Sequence, residues 1–149
     1  MNESGHILVA EDDPTDAYFL ERAFKRAGIP VTLHFVRDGQ EVIDYLQGEG
    51  QFSDRVRHPL PRLVLLDLKM PRVDGFDVLE WVRKQPGLNG LTIVIFSSSG
   101  EPRDINRAYG LGANSFIVKP HSMEELMKLV GSFKKHWLEG DPDHRRKAA

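Results

Sequence analysis

Apolar residues recur along the chain with two alternating periods. Ile7-Leu8-Val9-Ala10 and Leu63-Val64-Leu65-Leu66 are short, unbroken apolar runs, each followed by acid: Glu11-Asp12-Asp13 after the first and Asp67 after the second. Leu91 to Phe96 is a β-rich run ending in Ser97-Ser98-Ser99-Gly100, and Ser115 to Val118 a shorter one ending in Lys119-Pro120. Val31 to Val36 alternates like a strand with one wetter face. Between these runs the apolar positions move to helical spacing. The five sets are Leu20, Ala23, Phe24 and Ala27; Val42, Ile43, Tyr45 and Leu46; Phe76, Val78, Leu79 and Val82; Ile105, Ala108, Tyr109 and Leu111; and Leu126, Leu129, Val130, Phe133 and Trp137.

The boundaries carry their own signals. Asp13 followed by Pro14 suits an N-cap and a first helical position, with Asp16 adding negative charge at the positive helix end. Gly28 and Pro30 stop that helix, Asp74-Gly75 opens the third, and Ser122 with Glu125 forms a capping box for the fifth. Gly48 to Arg62 reads as an inserted loop or helix extension. Five strands alternating with five helices, with three strands apolar on both faces, predict an α/β fold: a doubly wound five-stranded parallel sheet with helices on both faces. In such sheets the working site lies beyond the carboxyl ends of the strands, at a switch in strand order.

Composition narrows the classes. The 149 residues are read as one domain, with a core of about 6–138 and a polar tail at 139–149 that is expected to fray. A formal net charge of −2 gives no bulk argument for nucleic acid or an anionic membrane. The absence of cysteine excludes disulfides, thiol nucleophiles and Cys-based zinc sites. No apolar run approaches bilayer-spanning length, and the N-terminus lacks the order of a secretory signal. The expected compartment is therefore the cytoplasm. The six histidines show no ligand spacing.

The residues able to carry chemistry sit at strand ends. If the sheet is parallel, Glu11, Asp12, Asp67, Ser97 and Lys119 converge on one rim. Packed carboxylates repel, and a cation relieves them. Oxygen ligands without Cys or paired His favour Mg2+ over zinc. Acids, a hard metal, a lysine and a hydroxyl together suit a phosphoryl group.

These segments resemble those of response-regulator receiver domains, the CheY-like (βα)5 flavodoxin-type fold. The resemblance rests on Ile7-Leu8-Val9-Ala10-Glu11-Asp12-Asp13, on Leu65-Leu66-Asp67-Leu68-Lys69-Met70-Pro71 with Asp74-Gly75, on Phe96-Ser97, on Gly112-Ala113, and on Phe116-Ile117-Val118-Lys119-Pro120. It covers roughly residues 6 to 138, and the spacings from Asp67 to Ser97 and from Ser97 to Lys119 match the family.

The resemblance implies that Asp67 is the phosphoacceptor, a carboxylate nucleophile. It also implies that Asp12 binds Mg2+ directly, Glu11 binds it through water, and Asp67 and the backbone carbonyl of Lys69 complete the protein ligands. Lys119 would pair with Asp67 and then with the phosphate, Ser97 would turn toward a phosphate oxygen, and Phe116 would fill the space Ser97 leaves. The Lys119–Pro120 bond is expected to be cis, as in the family. Arg103, Asp104, Arg107 and Tyr109 are expected on an interaction surface that serves a homodimer, joined by Phe133 and Trp137, which otherwise read as core.

The resemblance further implies a two-component switch that takes its phosphoryl group from a sensor histidine kinase and has no output domain. Such a chain is a phosphoacceptor and not an enzyme, catalysing only its own phosphorylation and dephosphorylation. The long 48–62 stretch and the aromatic end Phe133…His136-Trp137-Leu138 resemble the single-domain regulators of bacterial and cyanobacterial phytochrome kinases, so the expected kinase is a bacteriophytochrome. Two other readings compete. An unphosphorylated pseudo-receiver scaffold is disfavoured by the complete acid set. A Mg2+-dependent phosphatase needs a second acid two residues past Asp67, where Lys69 stands.

Overall fold

A computed structural model of the chain describes residues 5–138, with side chains described to residue 136. The predicted tail at 139–149 and the side chain of Trp137 lie outside the described residues. Five strands, β1 (His6–Ala10), β2 (Thr32–Val36), β3 (Leu63–Leu66), β4 (Thr92–Ser97) and β5 (Ser115–Val118), alternate with α1 (Pro14–Arg26), α2 (Gly39–Gln47), α3 (Gly75–Lys84), α4 (Pro102–Gly110) and α5 (Met123–Phe133). A π-helical turn at Lys134–Leu138 follows α5.

All four strand pairings are parallel, in the order β2-β1-β3-β4-β5. The chain therefore reverses its direction of winding between β1 and β3, where the crevice forms.

The unbroken apolar runs are explained by the two layers. Leu8, Ala10, Val64, Leu66, Ile93 and Ile95 pack on the side of α2, α3 and α4, while Ile7, Val9, Leu63, Leu65, Val94 and Phe96 face α1 and α5. Successive residues point to opposite faces, and both faces are covered. The outer strands β2 and β5 are only partly buried, which accounts for the alternation in β2.

Helix starts follow the capping chemistry. Asp13 accepts from the backbone N–H of Thr15 at 2.8 Å and of Asp16 at 3.4 Å. Asp74 accepts from Asp77 N at 3.0 Å, and Ser122 accepts from Glu125 N at 3.1 Å. Gly48 closes α2 in the left-handed conformation, φ +71°.

The 48–62 stretch is a loop with one 3-10 turn at Gly50–Phe52. It is tied down by Arg55, whose guanidinium donates to the carbonyls of Tyr45 (2.8 Å), Leu46 (2.7 Å) and His58 (3.0 Å), two of them at the carboxyl end of α2. The Tyr45 hydroxyl in turn donates to Pro59 O at 2.9 Å.

Two expectations are corrected here. Phe133 is not on the surface: it is fully buried and stacks on Phe24 with ring centroids 6.4 Å apart. Its helical spacing with Leu126 and Val130 aims it at α1, and burying a ring of that size is worth roughly 1.5–3 kcal/mol. The Lys119–Pro120 bond is trans, since no cis peptide occurs among the described residues. Trans is the default isomer even before proline, favoured by about 0.5–1 kcal/mol.

Candidate functional site

Strand register brings the acids together. Ala10 pairs with Leu66, so Glu11 and Asp67 leave adjacent strands side by side, and Asp67 N donates to Ala10 O at 3.2 Å. Ser97 pairs with Val118, which sets Lys119 at the same rim. Gly75 lets the start of α3 close over this edge: a Cβ there would sit 2.5 Å from Asp67 O. Any side chain at that position would push α3 away from the aspartate.

Carboxylate oxygens of Glu11, Asp12 and Asp67 lie within 4.8 Å of one another, the single such metal-competent group among the described residues. Glu11 and Asp67 are buried, whereas Asp12 is exposed at the pocket mouth. The Lys119 ammonium reaches into the group from the end of the edge strand β5. Its Nζ lies 2.6 Å from Glu11 Oε1, 3.0 Å from Asp67 Oδ2 and 3.0 Å from Asp16 Oδ2. The Lys119 side chain is only 12% exposed.

The electrostatics follow from this packing. Burial pushes the Glu11 carboxyl up to about 6, even though the bond and charge of Lys119 pull the other way. Burial also opposes the charged form of Lys119, but its hydrogen bond to Glu11 and the charges of Asp67 and Glu11 outweigh it and hold the ammonium above its ordinary range. Three acids (Glu11, Asp16 and Asp67) share one lysine, and Asp12 stands beside Glu11 and Asp67. The unbalanced negative charge and the all-oxygen donor set fit a hard divalent cation such as Mg2+.

The remaining expected residues are placed as follows. Lys69 is exposed beside the site, and its backbone N–H donates to Asp67 Oδ1 at 3.3 Å. Ser97 is 1% exposed, and its hydroxyl accepts from Ser99 N at 3.3 Å. Phe116 pairs with Ile95 and packs half-buried on the α2–α4 side of the core. Arg103, Arg107 and Tyr109 are exposed on α4, and Asp104 is half-buried. Arg107 stacks over Phe76, 4.1 Å from the ring centroid.

Two contacts were not expected from the sequence. Asp16, which reads there only as first-turn charge for α1, bonds Lys119. The Tyr109 hydroxyl accepts from Phe116 N at 3.1 Å, joining α4 to the edge strand that holds the aromatic. The spacing of Asp16 behind Asp13 did place it on the first turn of α1, but it carried no hint of a residue 103 positions away.

Comparison with known proteins agrees with this geometry. The family model described as "Response regulator receiver domain" matches residues 7–131. A response regulator in red light signaling of R. palustris superposes with a TM-score of 0.85 at 37% identity, covering 89% of this chain and 93% of that one. The phosphorylated cyanobacterial phytochrome response regulator RcpA gives a TM-score of 0.81 at 31% identity, covering 90% and 94%. The Mn(2+)-bound form of response regulator Rcp1, a protein of Synechocystis sp., gives 0.79 at 30% identity, covering 91% and 95%. Among the described residues no helix is long and apolar enough to cross a membrane. With the receiver model spanning most of its length and the acid rim at the matching strand ends, this chain belongs to the response regulator receiver domain family.

Proposed function

We propose that this chain is a phosphorylation-controlled switch whose acceptor is Asp67, charged by the phosphohistidine of a sensor histidine kinase in the cytoplasm. The observation that carries the reading is the Asp67 carboxylate held 3.0 Å from a half-buried lysine inside a cluster of acids. In transfer, an Asp67 carboxylate oxygen attacks phosphorus, the P–N bond breaks, and its electron pair leaves with the imidazole. A Mg2+ ion held by Glu11, Asp12, Asp67 and the Lys69 carbonyl would supply positive charge against the phosphoryl oxygens.

The chain's own groups do the rest. Lys119 keeps one N–H on the acceptor and turns it to a phosphoryl oxygen as charge develops there. Ser97 swings its hydroxyl from Ser99 N to another phosphoryl oxygen. Phe116 then settles inward, and its backbone link to Tyr109 passes the change to α4.

The similarity to phytochrome response regulators supports a bacteriophytochrome as the kinase. The exposed α4 face of Arg103, Arg107 and Tyr109, with Asp104, supports an isologous homodimer. Sedimentation velocity with and without phosphorylation tests the dimer, and monomer alone in both would remove it. Mass spectrometry after incubation with acetyl phosphate and Mg2+ tests the acceptor. One phosphoryl group is expected on the wild-type protein and none on Asp67→Asn. An unmodified wild-type protein would refute the reading.

A further inference from the structure

The Lys119 ammonium has three N–H donors and, in this structure, three carboxylate acceptors, one for each. Two of the three belong to the acid group that fits a divalent cation: Glu11 and Asp67. Asp16 is not in that group, and it stands on a different element, the first turn of α1, where the cap bond to Asp13 fixes the backbone. When Glu11 turns to a cation and Asp67 to a phosphorus atom, both of those bonds to Lys119 are exchanged. The bond to Asp16 is the one that no step of the transfer requires to break.

We propose that Asp16 is a positioning residue for phosphoryl transfer: its carboxylate anchors the Lys119 ammonium at the acceptor while the other two partners change. This rests on the reading of Asp67 as acceptor.

The physical need is specific to lysine. Its ammonium is a compact charge on a flexible four-carbon stem, and only hydrogen bonds decide where it sits. With Asp16 gone, an ammonium freed by Glu11 and Asp67 samples the pocket mouth in place of the phosphoryl oxygens, and a displacement of an ångström is enough to slow transfer. Asp16 also places a fixed negative charge near the path of an anionic donor. Its removal therefore weakens positioning without weakening donor binding, so the two kinetic parameters part company.

The experiment measures the rate of acetyl phosphate uptake by the full chain in Mg2+, across donor concentrations, for wild type, Asp16→Asn and Asp16→Glu. In uptake Asp67 attacks phosphorus, the bond to the acetyl oxygen breaks, and acetate leaves with the pair. Asp16→Asn is expected to lower the maximal rate about tenfold with a half-saturating donor concentration no higher than that of wild type, and Asp16→Glu to recover most of the rate. Thermal unfolding of each variant reports the folded fraction, by which the rates are normalised. A wild-type protein that takes up no phosphoryl group sinks the acceptor reading and this inference with it. Uptake by wild type with an unchanged Asp16→Asn rate, or with Asp16→Glu as slow as Asp16→Asn, overturns the role of Asp16 alone.

Discussion

Two half-buried cations, Lys119 and Arg83, are solvated in opposite ways. Lys119 at the carboxyl rim is ringed by carboxylates, those of Glu11, Asp16 and Asp67. Arg83 near the end of α3 meets only neutral dipoles. Its guanidinium donates to Gly112 O (3.0 and 2.7 Å), Asn89 O (2.9 Å), Leu91 O (2.7 Å) and Asn114 Oδ1 (2.9 Å). Asn114 Oδ1 also accepts from Ile93 N at 2.7 Å.

The proton affinities separate accordingly. The charges around Lys119 more than cancel the effect of burial, while burial alone lowers Arg83 from its ordinary value. Carbonyl dipoles are fixed by the backbone, so Arg83 acts as a rivet between the α3–β4 and α4–β5 loops. Carboxylates can bind a cation or a phosphoryl group instead of the lysine, so the Lys119 contacts can be exchanged. The same burden, a cation out of water, is built to be permanent in one place and renegotiable in the other.

The comparison breaks most readily at Lys119. Lys119→Met is expected to slow uptake of the phosphoryl group from acetyl phosphate by about 10²-fold or more, as loss of a preorganised donor does elsewhere. It also leaves the acids without their counter-charge, so unfolding in EDTA comes easier, and Mg2+ restores part of the loss. A rate within a few-fold of wild type would put Lys119 in the same structural class as Arg83.

Arg83→Met is the converse case. It strands the carbonyls of Gly112 and Leu91, while Asn114 Oδ1 keeps its bond from Ile93 N. At about 1 kcal/mol for each lost acceptor it should cost about 2 kcal/mol in urea unfolding. Mg2+ should not recover that loss, and the uptake rate per folded molecule should stay at the wild-type value. Recovery by Mg2+ would show that the two sites are coupled and would end the distinction.

A smaller effect sharpens the contrast at a third half-buried titratable group, which has neither a counter-charge nor a set of carbonyls. His34 on β2 lies between His6, whose Nδ1 is 2.9 Å from its Nε2, and the rings of Tyr45 and His58. Burial, then the neighbouring charges of His6 and His58, lowers its proton affinity below the ordinary 6.5. The unfolded chain therefore binds the proton more readily, so this contribution to stability is complete above 6.5 and is lost as the pH falls from there toward the folded value. Stability of wild type relative to His34→Gln should decline below pH 6.5 and be level above it, as read by denaturant midpoints; a difference independent of pH would contradict it.

Much of this molecule was legible before any coordinates. The central strands β1, β3 and β4 were readable because each is a run whose two faces are both covered, and the helix starts because Asp13, Asp74 and Ser122 cap their own next turn. The acids and Lys119 were found as strand-end residues, and parallel topology does the work of gathering them. The 48–62 stretch was read as an inserted loop or helix extension and is a loop with one 3-10 turn, but the way Arg55 ties it to α2 was not legible. Phe133 had the spacing of a core residue and was assigned to the surface on family grounds, and the side chain of Tyr109 gave no sign that it would accept from Phe116.

Local periodicity and capping operate over one or two helical turns, within reach of the chain itself. They determined the elements, their order, and which end of the sheet would hold the chemistry. Which side chains then touch depends on how α1 leans on the β5–α5 connection and how far each rotamer reaches, and these are settled only when the whole core closes. That is why the pairing of Asp16 with Lys119, the neutral cradle of Arg83 and the histidine cluster belong to the tertiary structure alone.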